Sequence, residues 1–98
     1  MSLPFAWRPA AQTEFEDAAL WYETKRAGLG VDFVTEVQLV LDKIAHQPTR
    51  YPLAFADIRE APVSRFPYCV YYRAKPNRIV ILAIFHSARD PRVWQARR

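Results

Sequence analysis

The chain has 98 residues, 51% of them hydrophobic and 24% charged, enough apolar content for one core and too much for a disordered segment. The net charge of +4 divides unevenly: residues 1–50 hold 5 Lys/Arg against 7 Asp/Glu, and residues 51–98 hold 9 against 3, eight of the nine being Arg. A single cysteine, Cys69, excludes an internal disulfide framework, and no Cys/His grouping has zinc spacing.

In chain order, Leu3 to Arg8 reads as a short strand with Phe5 and Trp7 on one face. Its flanking prolines, Pro4 and Pro9, place it at a sheet margin. Pro9 suits a first helical position, and Ala11, Phe15, Ala18, Ala19 and Tyr22 then form an apolar stripe at helical spacing. Trp21 and Tyr22 are expected to pack against the sheet rather than to form a ligand cage. Gly28-Leu29-Gly30 ends the helix and turns the chain. A second helix is predicted over Val31 to His46, burying Val34, Val37, Leu41 and Ile44 with Phe33 and Val40 alongside. Pro48 closes it, so the two helices make a hairpin whose apolar stripes need a sheet as partner.

Thr49 to Ala56 has no clear period and reads as a loop; Asp57 to Val63 reads as a short strand. Phe66 to Ala74 and Arg78 to His86 are long strand-like runs joined at Lys75-Pro76-Asn77, a hairpin signal. The second run is apolar almost throughout, as expected of a strand covered on both faces. A regular hairpin sets Ala74 opposite Ile79 and Pro67 opposite His86, which places Arg65, Cys69, Tyr71, Arg73 and His86 on one face; a bulged turn would shift that register by one residue and swap the faces. Pro91 then starts a short helix over Arg92 to Arg98, docked by Trp94 with three Arg in solvent. The predicted class is α+β: one domain over residues 1–98, with an N-terminal strand, a helical hairpin on a small antiparallel sheet, and a short C-terminal helix.

Nothing in the sequence matches a phosphate loop, a dinucleotide fingerprint, a His-Glu-x-x-His helix or a nucleophile elbow. No cofactor and no metal are expected. No apolar run approaches the roughly 20 residues of a membrane span, and no secretory signal stands at the start, so the expectation is a cytoplasmic protein. The Arg-rich half invites nucleic acid or an acidic protein segment; Arg59, Arg73, Arg92, Trp94, Arg97 and Arg98 are the residues expected to bind. For chemistry, Arg65, His86 and Arg89 are the groups that one end of the sheet can bring together for proton transfer and phosphorane charge. Arg73, eight residues from Arg65, lies about 26 Å away along a strand. Two structural readings stand beside that one. His86 can be a strand-end histidine bonded to backbone, and Asp90 can cap the last helix while Arg89 pairs with a carboxylate.

The chain also resembles the RelE/ParE toxin superfamily. The resemblance is carried by Ala19-Leu20-Trp21-Tyr22-Glu23, Gly28-Leu29-Gly30 and Phe33, then Pro48 and Tyr51-Pro52. It continues through Arg65-Phe66-Pro67-Tyr68, Val70-Tyr71-Tyr72-Arg73, Ile79 to Ile84 with His86, and Arg89-Asp90-Pro91 with Trp94. It implies a toxin of a type II toxin–antitoxin module, held inactive by a cognate antitoxin. It further implies one of two targets: ribosome-bound mRNA, cut by the RelE-like branch, or DNA gyrase, inhibited without catalysis by the ParE-like branch. Cys69 stands where the nucleases carry an Arg, Arg59 replaces their closely spaced lysines, and Trp94 or Gln95 occupies the tail tyrosine position. The expected function is therefore ParE-like gyrase inhibition. The alternatives are a divergent nuclease built on Arg65, His86 and Arg89, and a toxin fold that no longer poisons anything.

Overall fold

The computed structural model describes residues 3–97. The elements are β1 (Phe5–Trp7), α1 (Pro9–Lys25), α2 (Leu29–His46), β2 (Leu53–Phe55), β3 (Ile58–Pro62), β4 (Tyr68–Ala74), β5 (Ile79–His86) and α3 (Arg92–Gln95). The sheet order is β1-β5-β4-β3-β2. β2 to β5 form an antiparallel meander, and β1 joins β5 in parallel at the margin.

The helical hairpin covers one face of the sheet. Phe33, Val37 and Ile44 of α2 are fully buried with Val70 and Tyr72 of β4 and Ile79 and Ile81 of β5. Each such side chain contributes about 1.5–3 kcal/mol by leaving water. On the opposite face Ile58, Tyr71, Leu82 and Phe85 form a second cluster closed by Trp94, only 2% exposed and stacked on Tyr71 at 3.9 Å between ring centroids. Cover on both faces is why β5 carries an unbroken apolar run.

The turn between the helices is held by a side chain. The Glu23 carboxylate accepts from the backbone N–H groups of Gly28 (2.9 Å) and Gly30 (3.0 Å), satisfying donors at the start of α2 that have no intrahelical partner. Gly28 takes φ 89°, which favours glycine. Gly30 lets the helices close: a Cβ there would lie 2.5 Å from the Ala19 carbonyl oxygen.

Three expectations need correction. The stretch expected as a loop contains β2, a three-residue edge strand exposed at every position, so it has no burial alternation to read. The hairpin is not regular. Ala74 faces Ile79 as expected, but the pairing shifts by one residue at Leu82, and Tyr68 rather than Pro67 faces His86. This bulge sends Leu82 and Ala83 both to the α3 side and turns His86 to the helix side, away from Cys69, Tyr71 and Arg73. The third concerns the C-terminal arginines. Arg92 is in solvent, but Arg97 is 19% exposed and turned inward, and Arg98 lies outside the described residues.

The inward turn of Arg97 follows from the length of β1. That strand ends beside Ile81, where Arg8 N–H donates to the Ile81 carbonyl at 2.9 Å. Beyond it the β5 backbone is served by side chains: Arg97 Nη1 donates to the Leu82 carbonyl (2.9 Å), and Ile84 N–H donates to Glu14 (3.2 Å). Arg97 and Glu14 also pair with each other at 2.7 and 3.0 Å, which ties the C-terminal tail to the first helix.

Candidate functional site

The bulge at Leu82 builds the site. By rotating the end of β5 it sets His86 edge-on to Tyr68, with ring centroids 5.2 Å apart, beneath the outer side of α1. Two cavities open there, of about 260 and 480 Å³, sharing Trp21, Tyr68, His86 and Arg89. Glu14, Asp17 and Ala18 line the first, Tyr22 and Pro67 the second. Trp21 is 54% exposed, contrary to the expectation that it packs on the sheet; Tyr22 alone does so, against Tyr68 of β4, with Phe33 and Phe66 beside it. Adjacent residues on a helix point about 100° apart, and the side of α1 turned to the core is the one that carries Tyr22.

Hydrogen bonds assign the polar atoms. His86 Nδ1 accepts the Ala88 N–H at 3.0 Å, the backbone-bonded role read as one option from sequence. In the neutral ring the proton is then on Nε2. Arg89 has no ion pair among the described residues; its guanidinium lies 4.5 Å from the Phe85 ring centroid. Glu14 is committed to Arg97, which leaves Asp17 as the carboxylate with no side-chain partner. Burial, chiefly, raises the Tyr68 phenol above its ordinary range, with Tyr22 adding to the effect. Burial also raises Tyr22. Both phenols therefore stay neutral at physiological pH.

His86 and Arg89 come together; Arg65 does not join them. Its backbone takes φ 72°, uncommon for a non-glycine residue, and its guanidinium turns to α2, 3.4 Å from Glu36 and 3.6 Å from Asp32. It lines neither cavity. The residues expected to bind are largely occupied within the fold. Arg59 donates to the carbonyls of Thr49 and Tyr51, Arg73 pairs with Asp57 at 2.9 Å, and Trp94 is buried. Arg92 pairs with Asp90, whose carboxylate also accepts the Arg92 N–H, in keeping with the helix-entry reading of Asp90.

The opposite face carries a cluster that sequence reasoning passed over. Tyr71 donates to Glu60 at 2.6 Å across the β3–β4 ladder, with Cys69 beside them. Burial first, and the Glu60 bond second, push Tyr71 far above its usual range. Burial, then the Glu60 charge, raise the Cys69 thiol. The signal was available: Glu60 is the acid of the short third strand. Among the described residues no group of three or more His, Cys, Asp or Glu side chains is placed to hold a metal ion, and no helix is long and apolar enough to cross a membrane.

This geometry meets a family match. The model of the ParE toxin of the type II toxin–antitoxin system parDE matches residues 5–91. The chain belongs to the ParE toxin family. It is thus a type II toxin of the RelE/ParE superfamily on the ParE side, and the family implies an antitoxin partner. Among solved structures, one titled "Chromosomal ParDE TA system from P. aeruginosa" is similar with a TM-score of 0.72 at 17% identity, covering 87% of this chain and 96% of that one; at that identity the likeness speaks for the fold. No curated protein matches the sequence. The α+β architecture expected from the sequence is the one found in this ParE-family chain.

Proposed function

We propose that this ParE-family toxin acts in the cytoplasm by non-catalytic inhibition of DNA gyrase and is neutralised by its cognate antitoxin. The observation that carries the reading is the position of Arg65, drawn to Asp32 and Glu36 rather than to His86 and Arg89. A metal-independent ribonuclease needs a base, an acid and a cation converging on one phosphate. Here Arg65 lies elsewhere and leaves Arg89 as the cation beside His86, Tyr68 is held protonated by burial, and Cys69 with its raised pKa stands where the nucleases place an Arg. Those features favour a contact surface over a cutting site.

The antitoxin has a receptor of suitable chemistry. Leu20 and Val31 are exposed, and with Ala19 and Val34 they line an apolar groove across the helical hairpin. The excess of arginine in the second half attracts the acidic part of a segment that orders on binding.

The test is growth arrest on expression without antitoxin, followed by supercoiling and primer-extension assays with wild type and Arg65→Gln. Arg65 pairs at the surface, where such pairs contribute about 0–1 kcal/mol, so the variant folds. Expected are gyrase inhibition, intact mRNA on translating ribosomes, and toxicity retained in Arg65→Gln. Cleavage at ribosomal A-site codons by wild type, whether or not Arg65→Gln retains it, refutes the proposal and installs the nuclease reading.

A further inference from the structure

The cavity beneath α1 has a donor, acceptor and ring arrangement that neither gyrase inhibition nor antitoxin capture requires. Its walls are aromatic: the exposed indole of Trp21 on α1, and the Tyr68 and His86 rings from β4 and β5. Its polar groups are few and of opposite character. Arg89 offers guanidinium donors and has no carboxylate partner among the described residues; His86 has its Nδ1 occupied by Ala88, leaving a protonated Nε2. Asp17 offers two acceptor oxygens, and the other nearby carboxylate, Glu14, is neutralised by Arg97. Ligand sites commonly combine apolar and aromatic walls with a few polar groups of this kind, in volumes of about 300–1,000 Å³; the two adjoining cavities here, which share Trp21, Tyr68, His86 and Arg89, are about 480 Å³ on the Tyr22 side and about 260 Å³ on the Asp17 side.

We infer that this cavity is a binding site for a purine base carrying a phosphate, with guanine preferred over adenine. Flat aromatic walls take a base by stacking, which every base allows. The phosphate carries the charge that Arg89 lacks a partner for, in the geometry guanidinium groups favour. Guanine is favoured because its N1–H and N2–H₂ present two adjacent donors to the two oxygens of Asp17. Adenine has one exocyclic amine and an acceptor at N1, and would set a lone pair against the carboxylate. An acidic peptide fits less well: Arg89 would attract it, but Asp17 and the Glu14 side of the cavity would face it with like charge. The base can come from a free nucleotide or from an unstacked position in a single strand, and the site chemistry is the same for both. The inference stands apart from the gyrase reading, since a nucleotide can bind whatever the target is.

The test is titration of the folded chain with GMP, with AMP, and with short single-stranded oligonucleotides with and without guanine. It is followed calorimetrically and by the aromatic NMR signals of Tyr68 and His86. Expected is saturable GMP binding that shifts those signals, about tenfold tighter than AMP. Tighter binding of the guanine-containing oligonucleotide than of GMP identifies the strand as the source, and the reverse identifies the free nucleotide; either supports the site. Trp21→Leu, at an exposed position that does not threaten folding, should weaken binding about tenfold through lost stacking. Arg89→Ser should weaken GMP but leave guanosine unchanged, and Asp17→Asn should bring GMP and AMP together. Absence of saturation by about 10 mM, shifts confined to other parts of the chain, or equal affinity of wild type for GMP and AMP each overturn the inference. Occupation of the cavity by an acidic antitoxin peptide, with no nucleotide binding, overturns it as well.

Discussion

The bond between the C-terminal tail and the first helix can be tested by dismantling it one charge at a time. Arg97 and Glu14 meet through two parallel N–H···O contacts of 2.7 and 3.0 Å with side chains 19% and 15% exposed, and each also serves the β5 backbone. An exposed pair would contribute about 0–1 kcal/mol, whereas breaking a fully buried one by deleting a partner costs about 3–5 kcal/mol. This pair lies nearer the buried limit, and Glu14→Ala also orphans the Ile84 N–H, worth about 1–3 kcal/mol where water is excluded. The expected loss for Glu14→Ala is about 3 kcal/mol, a fall of about 15 °C in Tm for a domain of this size. Arg97→Ala should lose about 2 kcal/mol, because Glu14 keeps its bond to Ile84. Glu14→Gln, which preserves shape and the Ile84 bond while removing the charge, should fall between Glu14→Ala and wild type. Urea denaturation read by tryptophan fluorescence gives each value. The double variant should be less destabilised than the two singles added together, by about 1.5 kcal/mol. Single losses below about 0.5 kcal/mol, or a strictly additive double variant, would refute the claim that these side chains complete the edge of β5 beyond β1.

Three further outcomes are expected. Gly30→Ala drives a Cβ into the Ala19 carbonyl oxygen, a backbone atom that cannot swing aside, and should cost about 2 kcal/mol and about 10 °C in Tm; an unchanged Tm would show that the helices separate freely. The hydrogen bond from Arg73 is the main reason that Asp57 titrates below its ordinary 3.8. The stabilisation it brings is therefore complete above that value and lost as pH falls through the lower folded pKa. With Asp57 exposed it is at most about 1 kcal/mol. Arg73→Gln should thus lower stability at neutral pH and match wild type in strong acid; a deficit that persists in acid would assign the effect to packing. Cys69, with its pKa raised by burial and by Glu60, should react with Ellman's reagent at pH 8 more slowly in the folded chain than in urea, and equal rates would contradict the burial.

Much of the fold is legible because its signals are strong and local. Pro9 at the start of α1, the Gly28-Leu29-Gly30 turn and the stripe Val37, Leu41 and Ile44 locate both helices to within two residues of where they lie. The apolar run of β5 correctly announces cover on both faces, although only packing shows that the second cover is a four-residue helix holding one tryptophan. β2 escapes notice because its three residues, Leu53, Ala54 and Phe55, are all apolar and all exposed, so the strand shows no alternation.

The site is less legible, and a single residue explains most of the difference. Period-two reasoning along β5 is sound up to Ile81 and fails beyond Leu82, because a bulge adds one residue that no propensity marks. The consequence is largest at the strand's end: His86 moves from the face of Cys69 and Tyr71 to the face of Trp21 and Tyr68. The bulge coincides with the end of β1, at the point where a neighbouring strand stops supplying partners and Glu14 and Arg97 take over. Both those residues are remote in sequence from β5, one near the start of the chain and the other near its end. A sequence reading confined to the hairpin could not see them, and so placed Arg97 in solvent. The same long-range contacts decide what the site can do. By closing the edge of β5 they neutralise Glu14, leave Asp17 as the free carboxylate, and hold α1 over His86 and Arg89. Arg65, in the turn before β4, is left to α2. The aromatic cavity thus follows from the rotation of the last four residues of β5, and the missing nuclease triad from the ion pairs that hold Arg65 at α2.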